Sequence, residues 1–315
     1  MPAERTHRTQ YEVEINAPAG VVSGLIADSA HQSRYSPSTV HVEQLEFDGS
    51  HERLRIWGLV DGEVRSWITR RHFSADLRRV ESVHQAPAAP TAGTTESWDM
   101  KALSPDRTRL TLRRETCLAD DARTPAPRHT TDAEVRHELE GVRALAERWD
   151  DLEELLLTFE DSVRVKGPAE LVYDFLYRVG DWPELLPHVS RVNVVEDQPG
   201  VQMVSMDTIV EGRTRTTGAV RVCFPHAGRI VFTRTTPTEL LSAHTGEWSL
   251  VPDVHGVTVL AQHSVVLREE NIRRVLGKGV DTAGARRYVR EAIGRTSTAT
   301  LNLARRHAET AIRVL

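Results

Sequence analysis

Apolar and polar residues alternate almost one for one along most of this chain, and Gly, Asp and Pro interrupt the alternation at intervals. Alternation with a period of two places successive side chains on opposite faces of a strand. On that basis Val40–Phe47, Glu52–Leu59, Val64–Phe73, Arg79–Gln85, Thr95–Leu103 and Arg107–Leu118 are expected to be strands. Asp48-Gly49, Asp61-Gly62 and Pro105-Asp106 stand between them and carry hairpin chemistry. A strand at about Gln10–Ile15 precedes this series and leads through Pro18 into a short amphipathic helix, Ala19–Ala27. Proline is tolerated there because the first helical turn leaves its N–H groups unpaired in any case. After an irregular segment, Ala119–Thr131, containing Pro125 and Pro127, a long helical pattern covers about Asp132–Leu157.

The same grammar then recurs. A strand at about Phe159–Val165 leads through Pro168 into a helix at Ala169–Tyr177. Strands follow at Val192–Glu196, Gln202–Val210, Arg213–Cys223, Arg229–Thr235, Leu241–Val251 and Gly256–Leu267. A Gly-containing segment, Arg268–Asp281, reads as a surface loop or pocket edge, and a helix at about Ala283–Val314 closes the copy. An offset of 150 residues maps Ala17-Pro18-Ala19 onto Gly167-Pro168-Ala169, Pro37 onto Pro187, Asp61-Gly62 onto Glu211-Gly212 and Arg65 onto Arg215. Glu96-x-Trp98 is likewise echoed by Glu247-Trp248. Repetition at a fixed offset marks two copies of one structural unit. The chain is therefore expected to be an α+β protein of two tandem domains, residues 1–157 and 158–315. Each is expected to be a curved seven-stranded antiparallel sheet around a long C-terminal helix. Such a sheet cannot fill its concave face with one helix, so an interior pocket is expected.

Composition narrows the partners. The 315 residues carry a net charge of -5, which supports neither nucleic acid nor an anionic membrane surface as a partner. The first ten residues are polar rather than signal-like, and no apolar run approaches the ~20 residues of a membrane span. Cys117 and Cys223 form no C-x-x-C pair, as expected of free thiols in a cytoplasmic protein. The 14 His residues are scattered, not set at metal-ligand spacing. No nucleophile elbow, Walker loop, H-E-x-x-H or strand-linked G-x-G-x-x-G occurs.

The informative positions are polar or large aromatic residues on strands. Trp67, Thr69 and Arg71 share one strand face at i, i+2 and i+4, with His84 and Trp98 on the next two strands. The second copy has Thr217, Ala219 and Arg221, then Arg234 and Trp248, with the spacings of 13 and 14 residues preserved. Alternation alone leaves two readings of these arginines open: the concave face, where a buried cation is costly unless paired or hydrated, or the solvated convex face.

Trp67-x-Thr69-x-Arg71 with its downstream Trp98 resembles the W-x-[ST]-x-R strand of bacterial polyketide aromatase/cyclases. Asp181-Trp182-Pro183-Glu184-Leu185-Leu186-Pro187 is similar to that family's W-P-E-L turn, and Arg295-Thr296-Ser297-Thr298 to the polar patch of its long helix. The resemblance spans the chain twice, which points to the didomain members of this START/Bet v1-like helix-grip superfamily. It departs from the pattern in each copy: Ser33-Arg34-Tyr35-Ser36-Pro37 and Glu138-Leu139-Glu140 replace the turn and the patch in the first, and Thr217 and Ala219 replace the strand Trp and Thr in the second.

The resemblance implies a cofactor-independent type II polyketide synthase component. Its implied substrate is a C9-reduced poly-β-ketone, carried on the phosphopantetheine arm of an acyl carrier protein and cyclised between C7 and C12 with dehydrative aromatisation. Arg71, Arg221 and Arg234 suit oxyanion binding, since guanidinium is a poor base. His84 is the candidate general acid or base and Thr69 a hydrogen-bond donor. Trp67, Trp98, Tyr35, Trp182 and Trp248 are the candidate substrate-binding walls. The first copy, which alone combines Trp67, Thr69, Arg71 and His84, is the expected seat of catalysis. The competing reading is a non-catalytic START-like carrier of a hydrophobic small molecule, whose cavity needs few converging polar groups.

Overall fold

The computed structural model describes residues 5–85, 91–118, 132–210 and 212–312. The chain divides into two compact units, Met1–Leu152 and Glu153–Leu315. In the first, β1 (Arg5–Ile15) is followed by α1 (Ala19–Ala27) and a 3-10 turn at Ser29–Arg34. Then come β2 (Thr39–Phe47), β3 (His51–Val60), β4 (Glu63–Phe73), β5 (Arg79–Gln85), β6 (Thr91–Ser104) and β7 (Arg107–Leu118), and finally α2 (Asp132–Ala146). The sheet order is β1-β7-β6-β5-β4-β3-β2, an antiparallel meander in which the first strand returns to pair with the last. Asp61 and Gly62, at φ 52° and 80°, make the tight turn between β3 and β4, where both central residues need positive φ.

After the short α3 (Leu152–Leu155), the second unit repeats the plan. It runs β8 (Leu156–Val165), α4 (Ala169–Tyr177), α5 (Trp182–Leu185), β9 (Val189–Gln198), β10 (Val201–Val210), β11 (Arg213–Phe224), β12 (Arg229–Arg234), β13 (Leu241–Asp253) and β14 (Gly256–Leu267). It closes with α6 (Glu269–Leu276) and α7 (Thr282–Ile312). The order β8-β14-β13-β12-β11-β10-β9 matches that of the first sheet.

Each sheet buries one face against helices. In the first unit Ile15, Leu54, Leu110 and Leu112 of the sheet are buried, as are Val22 and Ile26 of α1 and Val135, Leu139 and Val142 of α2. In the second, Leu301, Ala304 and Ala308 form a stripe at helical spacing on α7 that packs with Val172, Phe175 and Leu176 of α4 and with Val257 and Val259 of β14. No helix among the described residues is long and apolar enough to cross a membrane.

Three elements differ from the sequence-based expectation. Helix α2 stops at Ala146 rather than near Leu157. At its end Glu147 accepts hydrogen bonds from the Asn16 backbone N–H at 2.9 Å and its side-chain amide at 3.1 Å. Leu156 and Leu157 instead begin β8, paired with Val266 and Val265 of β14. The segment expected as a loop at Arg268–Asp281 contains α6, whose Ile272 is buried against Leu240 and Leu267. The irregular segment expected at Ala119–Thr131 lies outside the described residues.

Helix α2 approaches the end of the 3-10 turn closely. A Cβ at Gly141 would lie 2.1 Å from the backbone oxygen of Tyr35. Gly141→Ala is therefore expected to push α2 off that turn and to destabilise the protein by about 1–3 kcal/mol, read as a lower urea midpoint with unchanged m.

Candidate functional site

Strand β4 decides the facing of the first site. Thr69, Arg71 and Phe73 are buried while Arg70 and His72 are exposed, so the Trp67-Thr69-Arg71 face is concave. Trp67 lies partly buried on the same face, its ring over Gly58 of β3, where a Cβ would meet Cη2 at 2.6 Å. Trp98 is buried and paired in register with Val80.

A polar chain crosses this face from strand to strand. Thr69 Oγ1 lies 2.9 Å from His84 Nδ1, and the two residues are direct cross-strand partners. His84 Nε2 lies 3.1 Å from Glu96 Oε2. Glu96 in turn accepts from Arg114 Nε at 2.6 Å and from its Nη2 at 2.5 Å, and these two are partners in register on β6 and β7. Burial alone would raise the pKa of Glu96, but Arg114 and His84 overcome it and hold the carboxyl far below its usual range. An ionised carboxylate can only accept, so a proton on His84 Nε2 points to Glu96, and Nδ1 is left to share a hydrogen bond with the Thr69 hydroxyl.

Glu138 of α2 faces this chain from the opposite wall. Its carboxyl is pushed up to about 7, first by burial and then by Glu96, against Arg114 and hydrogen bonds from Gln32 and Ser36. Gln32 Nε2 donates to it at 3.4 Å. Glu96 and Glu138 were legible only as a repeat anchor and as a departure from the helix patch. The anchor itself needs correcting: Trp248 matches Trp98, but Glu247 points to the other face and pairs with Arg229 at 3.0 Å. The position equivalent to Glu96 is Gly246, opposite His263 as Glu96 is opposite Arg114.

Arg71 reaches the concave side, yet its guanidinium is committed elsewhere. Nη1 pairs with buried Glu52 at 2.9 Å and Nη2 donates to the Ile26 carbonyl near the C-terminal end of α1. Gln44 and Ser29 hold the other oxygen of Glu52 at 2.8 and 3.3 Å. Arg221 repeats this brace under α4, donating to the Leu176 carbonyl and, at 2.8 Å, to Gln202. A cation beside the last carbonyls of a helix is favourable twice over, as donor and as countercharge to the helix dipole. Tyr35 is buried near Arg71. Burial, opposed by Arg71 and reinforced by Glu138, Asp28 and Glu52, holds its phenol above the usual range.

In the second unit, Trp182 is a core residue whose Nε1 donates to the Phe175 carbonyl at 3.1 Å and whose ring meets Trp248 edge-on. Arg221 lies between these tryptophans, 6.0 and 5.6 Å from their rings. Arg234 donates to Thr217 at 2.9 Å, and burial followed by the charge of Arg221 pushes its pKa down to about 10. Of the patch Arg295–Thr298, only Ser297 faces inward; Arg295 and Thr298 line an open groove of about 670 Å³ with Asp161 and Arg290. A second cleft of about 530 Å³ separates Pro187, His188 and Ile209 from Asn302, Leu303 and Arg306 of α7. Among the described residues no cluster of His, Cys, Asp or Glu could hold a metal ion.

The chain is similar to several known proteins. The family described as "Polyketide cyclase / dehydrase and lipid transport" matches residues 165–283. The actinorhodin polyketide synthase bifunctional cyclase/dehydratase of Streptomyces coelicolor is 36% identical over 316 residues, covering 97% of this chain and 96% of that protein. This chain belongs to the polyketide cyclase/dehydratases. The granaticin synthase cyclase/dehydratase of Streptomyces violaceoruber is 33% identical, covering 99% of this chain and 97% of its own. The crystal structure of the di-domain aromatase/cyclase BexL superposes with a TM-score of 0.85 at 36% identity, covering 96% of this chain and 99% of BexL. StfQ, a di-domain aromatase/cyclase from the steffimycin pathway, gives 0.82 at 31%, over 96% of this chain and 99% of its own. The fold is thus that of the di-domain aromatase/cyclases, two copies of a seven-stranded antiparallel sheet packed on helices, and the protein is an enzyme of the polyketide cyclase/dehydratase class.

Proposed function

We propose that the first unit carries out first-ring closure and dehydrative aromatisation of a carrier-bound poly-β-ketone. The single observation that carries this reading is the hydrogen-bonded chain Thr69–His84–Glu96–Arg114, with Glu138 on the facing helix. Dehydration of a β-hydroxy ketone removes a proton from the α-carbon, forms the C=C bond and releases the hydroxyl as water. It therefore needs a base and an acid on different sides of the substrate. His84 Nδ1 is the base, directly or through the Thr69 hydroxyl, and Glu96 stabilises the imidazolium that forms. Glu138 supplies the proton to the departing hydroxyl. Two titratable groups whose environments set them to opposite tasks are the usual signature of such a pair. Trp67 and Trp98 are the flat walls against which the ring closes, and Arg71, held by Glu52, keeps α1 in place. We take the substrate to be bound to an acyl carrier protein, reduced at C9 and closed between C7 and C12; the relatives' naming as polyketide synthase cyclase/dehydratases supports the reaction class. We place the reaction in the cytoplasm, beside the other synthase components.

The test is reconstitution with the minimal synthase, ketoreductase and acyl carrier protein, followed by mass spectrometry of the products. Unaltered product identity on omitting this protein overturns the reading.

Glu138 supplies a pH test with a definite sign. A carboxyl at about 7 in the fold and 4.5 in the unfolded chain binds more protons when folded between those values, so stability falls as pH rises through that window. Glu138→Gln removes the penalty and should stabilise the protein by up to about 3 kcal/mol above pH ~7, with little gain at pH ~4. The same variant should lose dehydration at every pH, whereas wild-type dehydration falls as pH rises past about 7. A melting temperature for Glu138→Gln that keeps a constant difference from wild type across this range would contradict the assignment.

A further inference from the structure

The second interior differs from the first chiefly in charge. An offset of 150 residues places Gln202 at the position of Glu52, Gly246 at that of Glu96 and Arg234 at that of His84. The closing helices align through matching clamps, Glu147 on the Asn16 N–H and Glu309 on the Lys166 N–H at 3.0 Å. That register sets Thr300 where Glu138 stands and Ser297 where Val135 stands. All three interior carboxylates of the first unit are thus replaced by neutral residues, while the cation count on the sheet does not fall.

The charge of Arg221 is answered at one remove, since Gln202 also donates to Glu196 at 2.8 Å. Arg234 has no such counterpart. Among the described residues its guanidinium bonds only to the neutral Thr217 hydroxyl, leaving most of its five donors unused. Around it stand two neutral imidazoles, His244 and His263, with Nε2 and Nδ1 3.2 Å apart. Burial, then the charge of Arg234 and the neighbouring His263, holds His244 well below the usual histidine range, while for His263 burial, opposed by Asp161 and reinforced by Arg234 and Arg290, pushes the ring down to about 4. His263 Nε2 and Ser297 Oγ are buried without a hydrogen-bond partner, and Ser297 lies on the inward stripe of α7. Phe232 occupies the space that Gly246 leaves, its ring 4.8 Å from Trp248 and 6.0 Å from the Arg234 guanidinium.

The carboxylate nearest this group, Asp161, is taken up by Arg290 at 2.7 Å. A half-hidden guanidinium with no carboxylate bonded to it, beside unsatisfied neutral donors and flat aromatic walls, is the complement of a planar anion. We infer that the second unit is a receptor for a ring-sized conjugated organic anion, an enolate or phenolate oxygen bound by Arg234 and its ring held by Phe232 and Trp248. This does not depend on which unit performs the dehydration.

Isothermal titration of the full-length protein with 2-naphthoate, its neutral isostere 2-naphthamide, and acetate tests the inference. The naphthoate should bind, with the amide and acetate weaker by about tenfold or more, the value of a charge-assisted hydrogen bond. Arg234→Met should remove that preference, bringing 2-naphthoate down to the affinity of 2-naphthamide, and should melt no lower than wild type because it gives up a partly buried, unpaired charge. Equal affinity of wild type for naphthoate and naphthamide, or a preference that survives Arg234→Met, overturns the inference. So does a lower melting temperature for that variant, which would make Arg234 a structural residue. Because these are binding measurements, they stand whatever reconstitution shows about catalysis.

Discussion

His84→Ala is expected to reduce dehydrative aromatisation by about 10²–10⁴-fold, the range contributed by a positioned general base, while leaving both units folded. His84 is only partly buried and the sheet around it is held by backbone pairing, so the loss of its ring costs little stability. The reaction, by contrast, loses the imidazole that links Thr69 to Glu96. Products should shift toward compounds that retain the ring hydroxyl and toward spontaneously cyclised by-products. Turnover should fall while apparent substrate affinity holds, because Trp67, Trp98 and the pocket shape are untouched. Glu96→Gln is the companion variant. It keeps the hydrogen bond to Nε2 in outline but removes the charge that stabilises the imidazolium, so it should move in the same direction by a smaller factor. If His84→Ala and wild type yield the same product profile at the same rate, the relay has no part in the chemistry.

Arg71→Met should destabilise the first unit by about 3–5 kcal/mol, the usual cost of stranding one partner of a buried ion pair. Glu52 would be left buried with Gln44 and Ser29 but no cation, and the Ile26 carbonyl would lose its donor. The double variant Glu52→Leu/Arg71→Met should recover much of this loss, because removing both charges leaves nothing uncompensated. In the second unit Arg221→Met should cost less, about 1–3 kcal/mol, since its partner Gln202 is neutral. Urea unfolding followed by tryptophan fluorescence measures all three. Equal losses for Arg71→Met and Arg221→Met would show that the Glu52 charge contributes little to the brace.

Much of the architecture was legible because strand alternation, turn chemistry and helix spacing are local. The Asp61-Gly62 turn and the strands on either side of it are cases in point. Leu156 and Leu157 were misplaced into a helix because a short apolar run fits either period; pairing with Val266 and Val265 decides it. The site was legible in half. Thr69 and His84 are marked by their strand face, but Glu96 is masked by its apparent echo at Glu247, and Glu138 because helical spacing alone does not say which face of α2 meets the sheet.

Period-two alternation and the 150-residue offset are enough to establish two copies of one α+β unit, and which strand carries Thr69 and Arg71. That this face is concave, that Arg71 braces a helix, and that residues 69, 84, 96, 114 and 138 meet in one cluster follows from the folded arrangement alone. The reason is that alternation fixes which side chains share a face, whereas sheet curvature, strand register and helix packing fix what that face meets, and those are set by contacts far apart in the chain.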